Sequence, residues 1–281
     1  RGTASPMSAA REAARCYICL DSEGLVWPCA CRGNSGAVHL GCLRALFVSY
    51  MQAGQVSRAQ RGQCPTCQQR YYPAAQAAIF RGVVQALRVH DRVRLAFALQ
   101  LGEVLAKDAL AEDAEARMVL QAVAADRLAD GMTRCRARKA LAKVLIRSGQ
   151  LNEAERMLTD CLHYFLSQEA ESRLDCRWAG GTRQNLARIL EARGEHELAA
   201  QQMNVVVSKY RQERGDSDRD TLNAVAALGG ALLSAGRLEE ARSAVAHAVS
   251  LGERLLGPEH DDVVSMHKVI QASHVGEIVS V

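Results

Sequence analysis

Leucine, alanine and glycine recur at fixed intervals over the last two thirds of the chain. The string L-A-x-x-L-x-x-x-G-x-L-x-E-A first appears as Leu141, Ala142, Leu145, Gly149, Leu151, Glu153 and Ala154. It returns as Leu186, Ala187, Leu190, Gly194, His196, Leu198 and Ala199, and again as Leu228, Gly229, Leu232, Gly236, Leu238, Glu240 and Ala241. The copies start at 141, 186 and 228, offsets of 45 and 42 residues. A worn copy at an offset of 40 precedes them as Leu101, Gly102, Leu105, Ala109, Ala111, Asp113 and Ala114, and a half copy follows from Val263 to Ile270. Apolar positions four apart lie on one helical face. A period of this length with a central glycine predicts stacked helical pairs that turn at the glycine.

Upstream the pattern changes. Residues 1–13 are small and polar and read as a flexible tail. Gly24, Pro28, Gly33, Asn34 and Gly36 supply turns. The run from Leu43 to Gln52 reads as a helix, and 54–63 as a polar return loop. Tyr71, Tyr72 and Pro73 close this region. From Ala74 onward the pattern is helical almost throughout, with Pro258 the last proline.

Between these turns lie four ligand pairs: Cys16-x-x-Cys19, Cys29-x-Cys31, His39-x-x-Cys42 and Cys64-x-x-Cys67. Seven of the ten cysteines fall in this window. Tetrahedral zinc takes four thiolate or imidazole ligands, and one short turn supplies two of them. Four pairs therefore predict two Zn2+ ions rather than a disulfide framework. With all eight ligands used, no coordination position is open, so the metals are expected to be structural and not to activate water. The sequence carries no Gly-x-Ser-x-Gly elbow, phosphate-binding glycine loop or His-Glu-x-x-His helix, and no residue is assigned a catalytic role.

The order of four cysteines, one histidine and three cysteines resembles the RING-CH fingers of ubiquitin ligases. The resemblance rests on Cys16 and Cys19, the tight Cys29-Ala-Cys31, the seven residues before His39, and the local residues Pro28, Arg32, Gly33, Val38 and Leu43. PHD fingers share the ligand order but usually carry Trp where this chain has Gly62. Pro65 also looks more like RING. The resemblance implies a cross-brace: Cys16, Cys19, His39 and Cys42 on the first zinc, and Cys29, Cys31, Cys64 and Cys67 on the second. It further implies a ubiquitin-conjugating enzyme as partner, docked on Ile18, Pro65 and a helix position where Leu46 stands in place of the usual Trp. Arg70 is the nearest match to a basic residue that commonly contacts ubiquitin.

The helical strings resemble tetratricopeptide repeats, specifically those of kinesin light chains. Gly257-Pro-Glu-His260 and Asp220-Thr-Leu-Asn223 are similar to that subfamily's linkers. The resemblance implies a binding groove lined by the first helix of each pair, with Arg136, Lys139, Lys143 and Arg147, then Gln184 and Arg188, then Asn223. The 3, 4, 4 spacing of the four basic residues places them on one helical stripe. Such a groove suits a protein or peptide substrate of acidic character.

Composition narrows the setting. The chain of 281 residues is long enough for two domains, and aromatic residues are only 4%, which favours helices packed through small residues. The net charge is 35 − 31 = +4, too mild to indicate nucleic acid. Cys135, Cys161 and Cys176 have no framework spacing and read as reduced thiols. No secretory signal or membrane span is evident, the longest uncharged run being Thr221–Gly236, so a cytoplasmic setting is expected. His260, His267 and His274 stand about 10.5 Å apart on a helix, too far to share a metal.

The expected fold is mostly α: a tail (1–13), a two-zinc RING-like finger (14–73), a helical connector (74–95) and an α-solenoid of tetratricopeptide-like hairpins (96–281). The expected function is a RING-type ubiquitin ligase whose repeats recruit substrate or adaptor. The alternative is a non-catalytic interaction scaffold with a PHD-like reader finger.

Overall fold

A computed structural model describes residues 14–31, 36–57, 62–88, 91–107, 113–171 and 175–279, with side chains described through Ser273. The expected tail, the motif residues Arg32 and Gly33, the turn residue Asn34, the worn-copy residues Ala109 and Ala111, and the His274 side chain lie outside the described residues. Eleven helices are described: α1 (Leu40–Gln52), α2 (Pro73–Ala86), α3 (Arg92–Leu105), α4 (Asp113–Ala125), α5 (Gly131–Arg147), α6 (Leu151–Ala170), α7 (Arg177–Ala192), α8 (His196–Arg214), α9 (Arg219–Ser234), α10 (Leu238–Leu256) and α11 (Asp261–Val279). The fold is mostly helical, and its hairpins are tetratricopeptide-like.

The chain divides into two compact units, 1–144 and 145–281. In the first, α1 packs on α2, α2 on α3 and α3 on α4. The cysteine-rich segment is joined to this helical layer. Leu43 and Phe47, one turn apart on α1, are fully buried, and the Phe47 ring meets Tyr71 edge-on at 6.0 Å. Gln76 of α2 donates its side-chain amide to the Tyr71 carbonyl at 2.6 Å. The cysteine-rich segment and α2–α4 lie in the same compact unit.

In the second unit the repeats set the architecture. The strings at 186 and 228 each end one helix and start the next, so α7 pairs with α8 and α9 with α10, and α10 packs in turn on α11. At each central glycine the φ angle is positive: +74° at Gly149, +80° at Gly194 and +75° at Gly236. The following amide bonds the leucine carbonyl five residues back, Gln150 to Leu145 at 2.8 Å, Glu195 to Leu190 at 2.8 Å and Arg237 to Leu232 at 2.9 Å. This is the Schellman helix stop, which needs a residue without Cβ in the left-handed region. One leucine position thus supplies both the apolar face and the carbonyl that closes the turn.

The repeat alanines Ala154, Ala199 and Ala241 are fully buried. A continuous core joins Met203, Val206, Val207 and Tyr210 of α8 to Leu222 and Val225 of α9. Each fully buried large side chain contributes about 1.5–3 kcal/mol relative to exposure. Ion pairs at repeat spacing brace the outside. Arg193 bonds Asn152 and Glu155 of α6, and Arg237 bonds Glu197 of α8 and Glu240 of α10. Cys135, Cys161 and Cys176 are buried, and no cysteine is in a disulfide. No helix among the described residues is long and apolar enough to cross a membrane.

Candidate functional site

The cysteine-rich segment is built around two near-identical turns. In Cys16–Leu20 the Leu20 amide donates to the Cys16 carbonyl at 2.8 Å, and in Cys64–Gln68 the Gln68 amide donates to the Cys64 carbonyl at 2.9 Å. Each turn is clamped from outside by the first cysteine's own amide, which donates to Asp21 in one and to Gln69 in the other. An antiparallel bridge, Val26 with Val38, brings the chain back so that His39 opens α1 beside the first turn. A second bridge, Gln63 with Arg70, closes the base of the second turn.

The result is two groups of four. Cys16, Cys19, His39 and Cys42 have their ligand atoms within 4.8 Å of one another, and so do Cys29, Cys31, Cys64 and Cys67. The chain order interleaves them, since the first and third pairs meet and the second and fourth pairs meet. Both groups can hold a metal ion. Four thiolates around zinc, at 2.3 Å each, stand about 3.8 Å apart. Cys31 Sγ and Cys64 Sγ are 3.6 Å apart, far beyond a disulfide bond and close to that spacing. His39 Nδ1 lies 3.2 Å from Cys19 Sγ and 3.6 Å from Cys42 Sγ.

The histidine is oriented by a group the sequence does not flag. His39 Nε2 donates to the Glu23 carbonyl at 2.5 Å, leaving the Nδ1 lone pair toward the sulfurs. Metal-ligating histidines are commonly fixed this way through the second ring nitrogen. Any residue type carries that carbonyl, so no side-chain signal marks it.

The leading cysteine of each turn, Cys16 in one and Cys64 in the other, is shifted toward ionisation. Burial opposes ionisation of Cys16, but amides of Cys19, His39 and Ile18 outweigh it and bring the thiol down to about 6. Burial likewise opposes ionisation at Cys64, and amides of Cys67 and Thr66 bring it to about 7. Cys42 has no such donors; burial and the neighbouring thiols Cys19 and Cys16 push it up to about 11. Burial is also the main cause that raises Cys29 and Cys31.

Of the expected docking residues, Ile18 and Pro65 are exposed at the tips of the two turns, with Ile18 at 40% exposure, and Leu46 is half-buried on α1. Tyr17 and Leu20 extend the exposed apolar surface around Ile18. Gly62 has φ +55°, and a Cβ there would lie 3.0 Å from the Phe80 ring of α2, so a tryptophan has no room.

The expected groove residues fare differently from one another. Arg136 is held bidentately by Glu103 of α3, at 3.0 and 2.8 Å, so a carboxylate 33 residues upstream already offsets its charge. Lys139 is half-buried, while Lys143 and Arg147 are exposed. On α7, Gln184 is half-buried and Arg188 exposed. Asn223 donates to Asp262 of α11 at 2.7 Å. Arg70 lines a pocket with residues of α2, α3 and α5.

Residues 221–262 match the family model of the tetratricopeptide repeat. The crystal structure of nearly identical TPR-like repeats from a Podosopora anserina protein assigned as a kinesin light chain, in a point-variant form, aligns with a TM-score of 0.50 at 20% identity. It covers 76% of this chain and 95% of that one. The structure of the same repeats without the variant designation aligns with a TM-score of 0.48 at the same identity and coverage. No curated protein matches the chain. Tetratricopeptide repeats indicate a protein–protein interaction role.

Proposed function

We propose that each four-residue group holds one structural zinc, and that the chain is a RING-type ubiquitin ligase. In this reading the finger recruits a ubiquitin-charged conjugating enzyme and the helical repeats recruit substrate or adaptor. The observation that carries it is the pairing of two interleaved ligand groups with two exposed turn tips, Ile18 and Pro65. Interleaving ties both ends of a segment that has little core of its own. Structural zinc supplies on the order of 10–16 kcal/mol to such a fold.

The chemistry then belongs to the partner. The substrate lysine amine attacks the thioester carbonyl on the conjugating enzyme, its cysteine thiolate leaves, and an isopeptide bond forms. This chain contributes orientation, which converts an encounter into a near-unimolecular step. Ile18 and Pro65 supply the apolar anchors, and no covalent intermediate forms on the finger.

The test is autoubiquitination by the full chain with a panel of charged conjugating enzymes, against the same chain carrying Ile18→Ala. Transfer by the wild type that falls in the variant supports the reading. A second reading, a non-catalytic scaffold with a protein-binding finger, draws support from Leu46, which is half-buried and smaller than the Trp common in ligases. No transfer with any conjugating enzyme supports that second reading.

A further inference from the structure

The turn between α7 and α8 differs from the turns of the flanking copies at two positions. Three residues before each turn glycine and two after it, the flanking copies carry an apolar pair. The pair is Ile146 and Leu151 around Gly149, and Leu233 and Leu238 around Gly236. Around Gly194 the same two positions hold Glu191 and His196. All six residues are half-buried, so each turn encloses its pair to a similar degree. Only the middle turn fills that place with titratable groups.

Neither group is satisfied there. Burial pushes the Glu191 carboxyl above its usual range, against the lowering pull of Arg188, one turn back on α7, and of His196. The His196 Nδ1 is buried and has no hydrogen-bond partner among the described residues. The charges on the neighbouring elements are engaged elsewhere. Arg193 binds Glu155 of α6 and is acted on by Glu195, and Glu153 of α6 lines an opening beside the same Arg193. Glu197 of α8 binds Arg237, which also holds Glu240 of α10. No charged residue lies between Thr221 and Gly236, which covers most of α9, and Asp220 at its start pairs with Arg177 at the other end of α7.

The pair can hold no proton beyond the neutral imidazole, or one, or two. With none it encloses a net negative charge, and with two a net positive one. With one, on either residue, it is neutral as a unit. Partial burial disfavours a net charge, so the folded turn holds that single proton more tightly than the unfolded chain does. We propose that Glu191 and His196 form an acid-sensitive clasp, which closes the turn between α7 and α8 when the pair holds one proton and loosens it when that proton leaves. The stabilisation is present on the acid side and is lost as pH rises through the raised folded value of the carboxyl. The inference stands on the helical repeats alone and is independent of the finger's activity.

The test is amide hydrogen exchange of the full chain, followed from about pH 8 to about pH 5, the range in which histidine charge changes. The Glu195 amide, bonded to the Leu190 carbonyl, reports on this turn, and the equivalent amides of Gln150 and Arg237 are references in the same sample. Protection is corrected for each residue's intrinsic exchange and expressed as the ratio of Glu195 to the references. In the wild type this ratio is expected to rise about threefold to tenfold on acidification. Glu191→Leu with His196→Leu restores the apolar pair of the other copies, so the turn is expected to fold and its ratio to stay flat. Glu191→Leu alone leaves an imidazole at the first position of α8, where burial and the helix dipole both disfavour its charged form, and the ratio is expected to fall instead. A flat ratio in the wild type, the same rise in the double variant, or a rise that persists in Glu191→Leu overturns the proposal.

Discussion

Leu20 and Gln68 hold the same left-handed backbone, φ 67° and 58°, each one residue past the second cysteine of its turn. Non-glycine residues rarely adopt this region. Each turn therefore carries a strained residue whose amide makes the closing bond to the first cysteine's carbonyl. Replacing Leu20 or Gln68 by glycine relieves the strain, although part of the gain is lost to a freer unfolded chain. The expected net effect of each is about 0.5 kcal/mol of added stability, read as greater resistance of the metal-loaded chain to a chelator. Alanine at the same positions is expected to give no gain, because it keeps the Cβ.

Ile18→Ala tests the exposed turn without touching a ligand. Truncating an apolar anchor at an interface centre costs about 1–3 kcal/mol, or roughly tenfold to a hundredfold in affinity. Ubiquitin transfer is expected to fall by that order while metal content is unchanged. Unchanged transfer removes Ile18 from the contact surface.

Some of this was legible in the sequence and some was not, for physical reasons. The glycine turns were, because only glycine makes the Schellman stop without strain and the leucine four residues earlier repeats with it. The metal groups were readable as pairs because ligand chemistry restricts residue types, and their order resembles a known finger. The left-handed Leu20 and Gln68 were not, since neither residue type announces that conformation. Nor was the Arg136–Glu103 pair, which joins helices 33 residues apart and turns one member of an apparent basic stripe into a bracing contact. The packing of α1 on α2 was hidden for a similar reason: it depends on Phe47, Tyr71 and Gln76 meeting in space.

The stripe can now be divided. Lys139→Glu with Lys143→Glu is expected to abolish binding of an acidic partner, and wild-type binding is expected to weaken as salt rises, since charges more than about 10 Å apart are screened at 0.1 M. Stability is expected to change little. Arg136→Glu is expected to differ, because it places two carboxylates together at Glu103 and lowers stability as well. A pull-down in which the double variant keeps every partner shows the stripe to be only a solvated face.

Asp218 gives a pH signature for the second unit. It caps α9, accepting from the amides of Asp220 and Thr221, and it pairs with Arg214 at 2.7 Å. The Arg214 guanidinium first, and these amides with it, hold the Asp218 carboxyl below its usual range. A depressed folded value means that the stabilisation is full above the unfolded value near pH 4 and is lost as pH falls through the lower folded one. Asp218→Ala is expected to cost about 1 kcal/mol at pH 7, the size of a lost helix cap. The gap between wild type and variant is expected to close below pH 4. A gap that stays constant into that range contradicts the assignment.

The most direct test of the account is the zinc content of the purified full chain, by elemental analysis, beside that of Cys64→Ser. Two zinc ions per chain are expected in the wild type. In Cys64→Ser the second site is expected to be lost and the finger to unfold, loosening α2 with it through the Tyr71–Gln76 contact while the second unit keeps its helix. A wild-type chain that holds one zinc ion or none contradicts the interleaved two-metal finger, and the ligase reading built on it falls with it.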